Sequence, residues 1–201
     1  MRTLGISGAH SGAGKTTVAM LLLGRLPGLG AVKVTRADHL DVLVTDEAIL
    51  NEPGKDTALL RAGGARRVAW LRCPPARMAS RLAEAVALMG DLDGVLIEGN
   101  SPMAHWHASL RVFVFGKDLH RLKPSACFPL AQAQWVVVNR SRPLEPHELA
   151  TVRAHNPTAE VFVFDAAKPG AEGEAFLEAV EAAWRRHAAP RHRSACPADP
   201  R

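Results

Sequence analysis

Near the amino terminus, the eight residues AHSGAGKT (9–16) combine two glycines, a lysine and a hydroxyl at a spacing suited to holding phosphate. Gly12 and Gly14 allow backbone conformations that turn successive N–H groups inward onto anionic oxygens, with Ser11 and Ala13 between and before them. Lys15 is placed to reach the β- and γ-phosphates of a nucleotide. The Thr16 hydroxyl is placed to ligate Mg²⁺, and Thr17 follows it into the cradle. The pattern is the Walker A form with Ala9 at a first position where glycine is usual. Its context supports it: TLGISG (3–8) reads as a buried strand, and TTVAMLLLGRL (16–26) as an apolar helix whose positive end adds to the cradle. His10 stands where partitioning-type ATPases carry a second lysine, which argues against a lysine-dependent dimer sandwich. His10 reads as a solvent-facing loop residue, with a phosphate or substrate contact as the alternative.

A nucleotide-bound Mg²⁺ also needs a carboxylate at a neighbouring strand end. In VLIEG (95–99), three apolar residues lead to Glu98, the candidate for the metal or for orienting water. Asp38 is a weaker candidate for the same ion or for a catalytic base, and Asp41 and Asp46 cannot be separated from it by sequence. Lys15, Glu98 and Asp38 are thus the candidate catalytic residues, and Thr16 and Glu98 the candidate metal ligands. His105 and His107 flank Trp106, but nothing supplies further ligands at fixed spacing. Residues 100–107 leave the end of a central strand, which makes them the candidate wall of any substrate pocket. Cys73 reads as a small buried apolar residue.

These residues need a scaffold, and the chain offers one. Short runs of Val, Ile, Leu and Phe at 3–8, 31–35, 67–72, 94–98, 110–115, 135–139 and 160–164 read as strands. Amphipathic stretches at 56–62, 74–90, 145–154 and 172–187 read as helices, and the charged segment 36–55 as mostly loop. Continuous apolar strands separated by helices imply an α/β, doubly wound, mainly parallel sheet of about seven strands with helices on both faces. The expected organisation is one nucleotide-binding domain over 1–187 and a disordered basic tail over 188–201.

Composition closes off other classes. With 47% hydrophobic and 22% charged residues the chain is not globally disordered. No apolar run is long enough to span a bilayer, and MRTLGISGAHSG lacks the apolar stretch of a signal peptide, so the expectation is a cytoplasmic protein. Three cysteines without a CxxC pair make a disulfide framework unexpected. The net charge of +5 suggests nucleic acid at first sight, but +4 of it falls in residues 185–201, leaving the body near neutral. Neither a nucleic-acid nor a membrane partner is expected.

Taken together, HSGAGKTT (10–17), AVKVT (31–35), PGKDT (53–57) with RAGGA (61–65), and LIEG (96–99) resemble, in order and spacing, the MobB-type molybdopterin-guanine dinucleotide biosynthesis proteins. That resemblance, over roughly residues 3–100, implies a dimeric P-loop protein of the SIMIBI class that binds GTP weakly and assists guanylylation of molybdopterin. It carries Gly12, Gly14, Lys15 and Thr16 to phosphate and metal, and Glu98 to the Walker B role. Asp56 matches the family's acid after Gly-Lys, with an N-cap role for the next helix equally open. The carboxyl third resembles the GTPases of nickel-enzyme maturation. Asn139 would correspond to the guanine-contacting asparagine, although NRSR (139–142) lacks the usual acid, and Lys168 in FDAAKPG (164–170) to the loop that backs the base. The reading is a slow Mg²⁺-dependent GTPase, or less specifically a GTP- or ATP-binding protein, of molybdenum-cofactor biosynthesis. It would act as a homodimer, with a molybdopterin-type ligand or a biosynthetic protein as partner. A small-molecule kinase or ligase and a nucleotide-switched metallochaperone or adaptor are the alternatives.

Overall fold

A strand of consecutive β-branched and aromatic residues hides both faces only when helices cover both sides of its sheet. Among the described residues, eight strands and seven α-helices achieve this. The computed structural model describes residues 1–187; the tail expected over 188–201 lies outside the described residues. In chain order the elements are β1 (Thr3–Gly8), α1 (Lys15–Arg25), β2 (Leu29–Arg36), β3 (Val42–Val44), α2 (Glu47–Leu50), α3 (Asp56–Ala62), β4 (Val68–Cys73) and α4 (Met78–Ala87). They continue with β5 (Gly94–Glu98), β6 (Leu110–Phe115), α5 (Cys127–Ala131), β7 (Trp135–Asn139), α6 (Pro146–His155), β8 (Glu160–Phe164) and α7 (Gly170–Arg186).

One eight-stranded sheet runs in the order β3-β4-β2-β5-β1-β6-β7-β8. Every pairing is parallel except β3 with β4. The eighth strand corrects the reading of 36–55 as loop. Within that segment Arg36 ends β2, Glu47–Leu50 form α2, and three residues pair as β3, in register Val42↔Arg72 to Val44↔Trp70, at an edge where Val42 remains exposed. The helix expected over 74–90 is shorter, a 3₁₀ turn at Pro75–Arg77 followed by α4. The brief α5, which carries Pro129, was not anticipated in the sequence.

Side-chain alternation divides the core by face. Leu4, Ile6, Ala31, Val68, Leu96 and Val112 pack with α1, α3 and α7 on one side. Val32, Leu71, Val95 and Ile97 pack with α4 on the other, and Phe113, Phe115, Val136 and Val138 continue that side with α5 and α6. This period of two decides the site. Lys33, Trp70, Arg72 and Glu98 share parity with the first set and so emerge on the α1–α3 side, at the carboxyl ends of β2, β4 and β5. No helix of the described residues is long and apolar enough to cross a membrane.

Candidate functional site

The loop between β1 and α1 is built by backbone geometry. Gly12 has φ 80° and Gly14, the residue capping α1, has φ 102°, a region that side chains resist. At Gly14 the space is closed as well, since a Cβ there would stand 2.2 Å from the Asn139 amide nitrogen. That amide is a tie. Its nitrogen donates to the Ala13 carbonyl (3.2 Å) and its oxygen accepts from the Ala166 N–H (2.9 Å), so Asn139 joins the phosphate loop to the segment after β8.

A cleft of about 300 Å³ opens above the loop, lined by Ser11, Gly12, Gly14, Lys15, Thr16 and Thr17 together with Lys33, Asp56, Leu59 and Glu98. Ala13 is fully buried beneath it. Lys15 donates from Nζ to the His10 carbonyl (3.0 Å); burial lowers its pKa, with Glu98 acting the other way.

The acidic wall is tightly bonded. Glu98, fully buried, accepts from Lys33 Nζ at 2.5 Å and from the Thr16 hydroxyl at 3.1 Å. Asp56 accepts from the same two groups, at 2.6 Å from Lys33 and 3.1 Å from Thr16. Burial opposes the charge on Lys33, but the two carboxylates outweigh it and raise its pKa. Burial likewise opposes the charge on Asp56, and Lys33 reverses that effect and lowers its pKa. One hydroxyl and two carboxylates therefore converge, hard oxygen donors of the kind a Mg²⁺ ion takes while keeping several waters. The residues present fit that ion.

Sequence reasoning missed Lys33 and left Asp56 undecided. Lys33 is one polar residue inside an apolar strand, and that interruption is the signal that could have found it. Asp56 is not an N-cap: Lys55 precedes α3, and the Asp56 side chain turns into the cleft.

Three other expectations are corrected. Asp38 does not reach the cleft; it is exposed and pairs with Arg36 (3.0 Å), because β2 carries residues 36–38 past the site toward the β3 edge. His10 is not solvent-facing. It is 8% exposed, its Nδ1 lies 2.7 Å from the Ser11 carbonyl, and its Nε2 is buried without a hydrogen-bond partner. Residues 100–107 do not wall the cleft. The Asn100 side chain exchanges two hydrogen bonds with the Gly8 backbone (both 2.9 Å), Trp106 Nε1 donates to Thr3 Oγ1 (3.2 Å), and His107 Nδ1 accepts from Arg111 (3.0 Å). They brace β1 from the α4 side. Lys168 stands on the exposed loop after β8, beside the segment Asn139 holds and outside the phosphate cleft.

No protein-family model matches the sequence, and no curated protein matches it. Solved structures do. The hydrogenase maturation factor HypB of Archaeoglobus fulgidus superposes with a TM-score of 0.60 at 14% identity, over 92% of this chain and 90% of that one. HypB of Helicobacter pylori, solved in complex with nickel, gives 0.61 at 15% identity, over 92% and 88%. At such identities a likeness speaks for architecture alone: this chain has the P-loop NTPase fold.

Proposed function

We propose that the protein binds a nucleoside triphosphate with Mg²⁺ and hydrolyses it slowly. The observation that carries this is the convergence of Lys15, Thr16, Lys33, Asp56 and Glu98, from four separate elements, in one cleft over a glycine-rich helix start. Backbone amides of 12–16 and the Lys15 ammonium would hold the β- and γ-phosphates. Thr16, Glu98 and Asp56 would hold Mg²⁺, whose chemistry here is to neutralise charge on the phosphates. Lys33, fixed between two carboxylates, lies where charge on the transferring phosphoryl group grows. Asp56 is the half-exposed carboxylate, open to an attacking water.

GTP is the favoured nucleotide. Asn139 lies at the strand end next to the loop that backs a base, and Ser141 donates to Asp165 (3.5 Å), an acid that stands near the place left by the missing one in NRSR. Participation in molybdenum-cofactor maturation follows from the order of HSGAGKTT, PGKDT and LIEG, and a nickel-related role would follow from the carboxyl third.

A thermal-shift panel of GTP, ATP and non-hydrolysable analogues, with and without Mg²⁺, tests the reading, because a ligand of the folded state raises apparent stability by mass action. The expected result is a Mg²⁺-dependent rise, larger for GTP and absent in Lys15→Ala. Equal behaviour of Lys15→Ala and the parent would overturn it.

A further inference from the structure

Against the acidic wall of the phosphate cleft lies a second cavity, of about 220 Å³, lined by Lys33, Thr35, Lys55, Asp56, Thr57 and Trp70. Lys33 and Asp56 belong to both, so the two spaces meet at one ion pair. The register of β2 with β4 sets Lys33 beside Trp70 and Thr35 beside Arg72. Trp70 Nε1 donates to Thr35 Oγ1 (3.0 Å), so the polar edge of the indole is satisfied.

Two cations attend that ring without a strong claim from elsewhere. The Arg72 guanidinium carbon lies 4.8 Å from the ring centroid, its Nε is buried with no hydrogen-bond partner, and among the described residues it has no ion pair. Lys55 Nζ lies 5.6 Å from the same centroid, and its partner Glu52 (2.6 Å) is half exposed, a weak tie in water. Arg72 borders the cavity without lining it, so its guanidinium adds positive charge beside Trp70, which Lys55 also approaches.

We propose that this cavity is a second ligand site for a small aromatic or heterocyclic acid, its ring against Trp70 and its carboxylate between Lys55 and Arg72. The far edge of such a ring points to Lys33 and Asp56, and so to the terminal phosphate of a nucleotide in the neighbouring cleft. Only that adjacency rests on the reading above; binding of the acid does not.

Benzoate and nicotinate serve as probes, with benzamide and nicotinamide as neutral counterparts, followed by saturation-transfer NMR titration of the full chain. The acids are expected to bind in the millimolar range and the amides roughly tenfold more weakly, the size of one charge-assisted contact. Lys55→Ala and Arg72→Met should each bring acid binding down to the amide level. Trp70→Leu should abolish it, and Trp70→Phe, which keeps a ring, should retain it. All four variants should keep the nucleotide affinity of the parent, which also shows that they fold. Acids binding no better than amides, or binding indifferent to Trp70→Leu, would overturn the proposal. Acid binding in a parent that binds no nucleotide supports it while the nucleotide reading falls alone.

Discussion

Lys33 and Glu98 are directly paired in the register of β2 and β5, and their side chains meet at 2.5 Å, with Glu98 wholly removed from solvent. Breaking such a pair from one side leaves a buried charge. Lys33→Met should therefore cost about 3 kcal/mol, the lower end of the range for a buried pair because Asp56 opens this one to water on one side. Adding Glu98→Gln should recover most of that loss. Urea unfolding of the two variants checks this; a double variant no more stable than Lys33→Met would show that the pair is not what the charges hold.

Lys15→Ala removes the loop's one side-chain cation. A hydrogen bond to a charged group contributes about 1.5–3 kcal/mol, so nucleotide binding should weaken roughly tenfold to a hundredfold in Mg²⁺ buffer by calorimetry. Stability without nucleotide should barely move, since Lys15 bonds only to the His10 carbonyl.

Of the two acids that the sequence left open, Asp56 reaches the cleft and Asp38 does not. Asp56→Asn should lower nucleotide turnover about tenfold or more, whereas Asp38→Asn should leave it unchanged. A steady-state phosphate-release assay separates them, and equal loss in both variants would reinstate Asp38.

Gly14→Ala forces a side chain into a φ of 102° and against the Asn139 amide. The backbone strain alone is about 1–3 kcal/mol. Combining it with Asn139→Ala should relieve the contact and not the strain, so thermal unfolding should show partial recovery.

Beyond Asn139, Glu148 accepts from both Arg140 and Arg142, and from the Glu145 N–H, which together hold its carboxyl well below its ordinary value of 4.5. A carboxylate with a depressed pKa stabilises the fold above its unfolded value and loses that contribution as pH falls toward the folded one. The stability gap between the parent and Glu148→Gln should be full at about pH 7 and shrink steadily in acid below about pH 4.5. A gap that holds constant into strong acid would mean that the arginines do not grip this carboxylate.

The phosphate loop is legible in sequence because its chemistry lies in one contiguous stretch whose glycines serve the same end as its lysine. Strand identity is legible for a related reason: Val136, Val137 and Val138 in a row can only be buried on both sides. Lys33 and Asp56 are different. They stand 23 positions apart, and what joins them is the docking of α3 over the end of β2, a tertiary event with no local signature. The edge strand β3 escapes for lack of length, since three residues amid charges carry no period. Residues 100–107 mislead because leaving the end of a central strand is a statement about position, whereas the direction they take is decided by Asn100 closing on Gly8.

The placement of β1 has a consequence for how the molecule is made. It is synthesised before either of its neighbours in the sheet, β5 and β6, with Leu4 beside Leu96 on one side and Leu110 on the other. Contacts of such long sequence separation form late and slowly. While residues 9–94 are still being synthesised, an apolar strand with two bare edges and a glycine loop without a floor must wait, which is the state most open to misassembly. The phosphate cradle, written into residues 9–16, can become a site only after β6 (Leu110–Phe115) has been made.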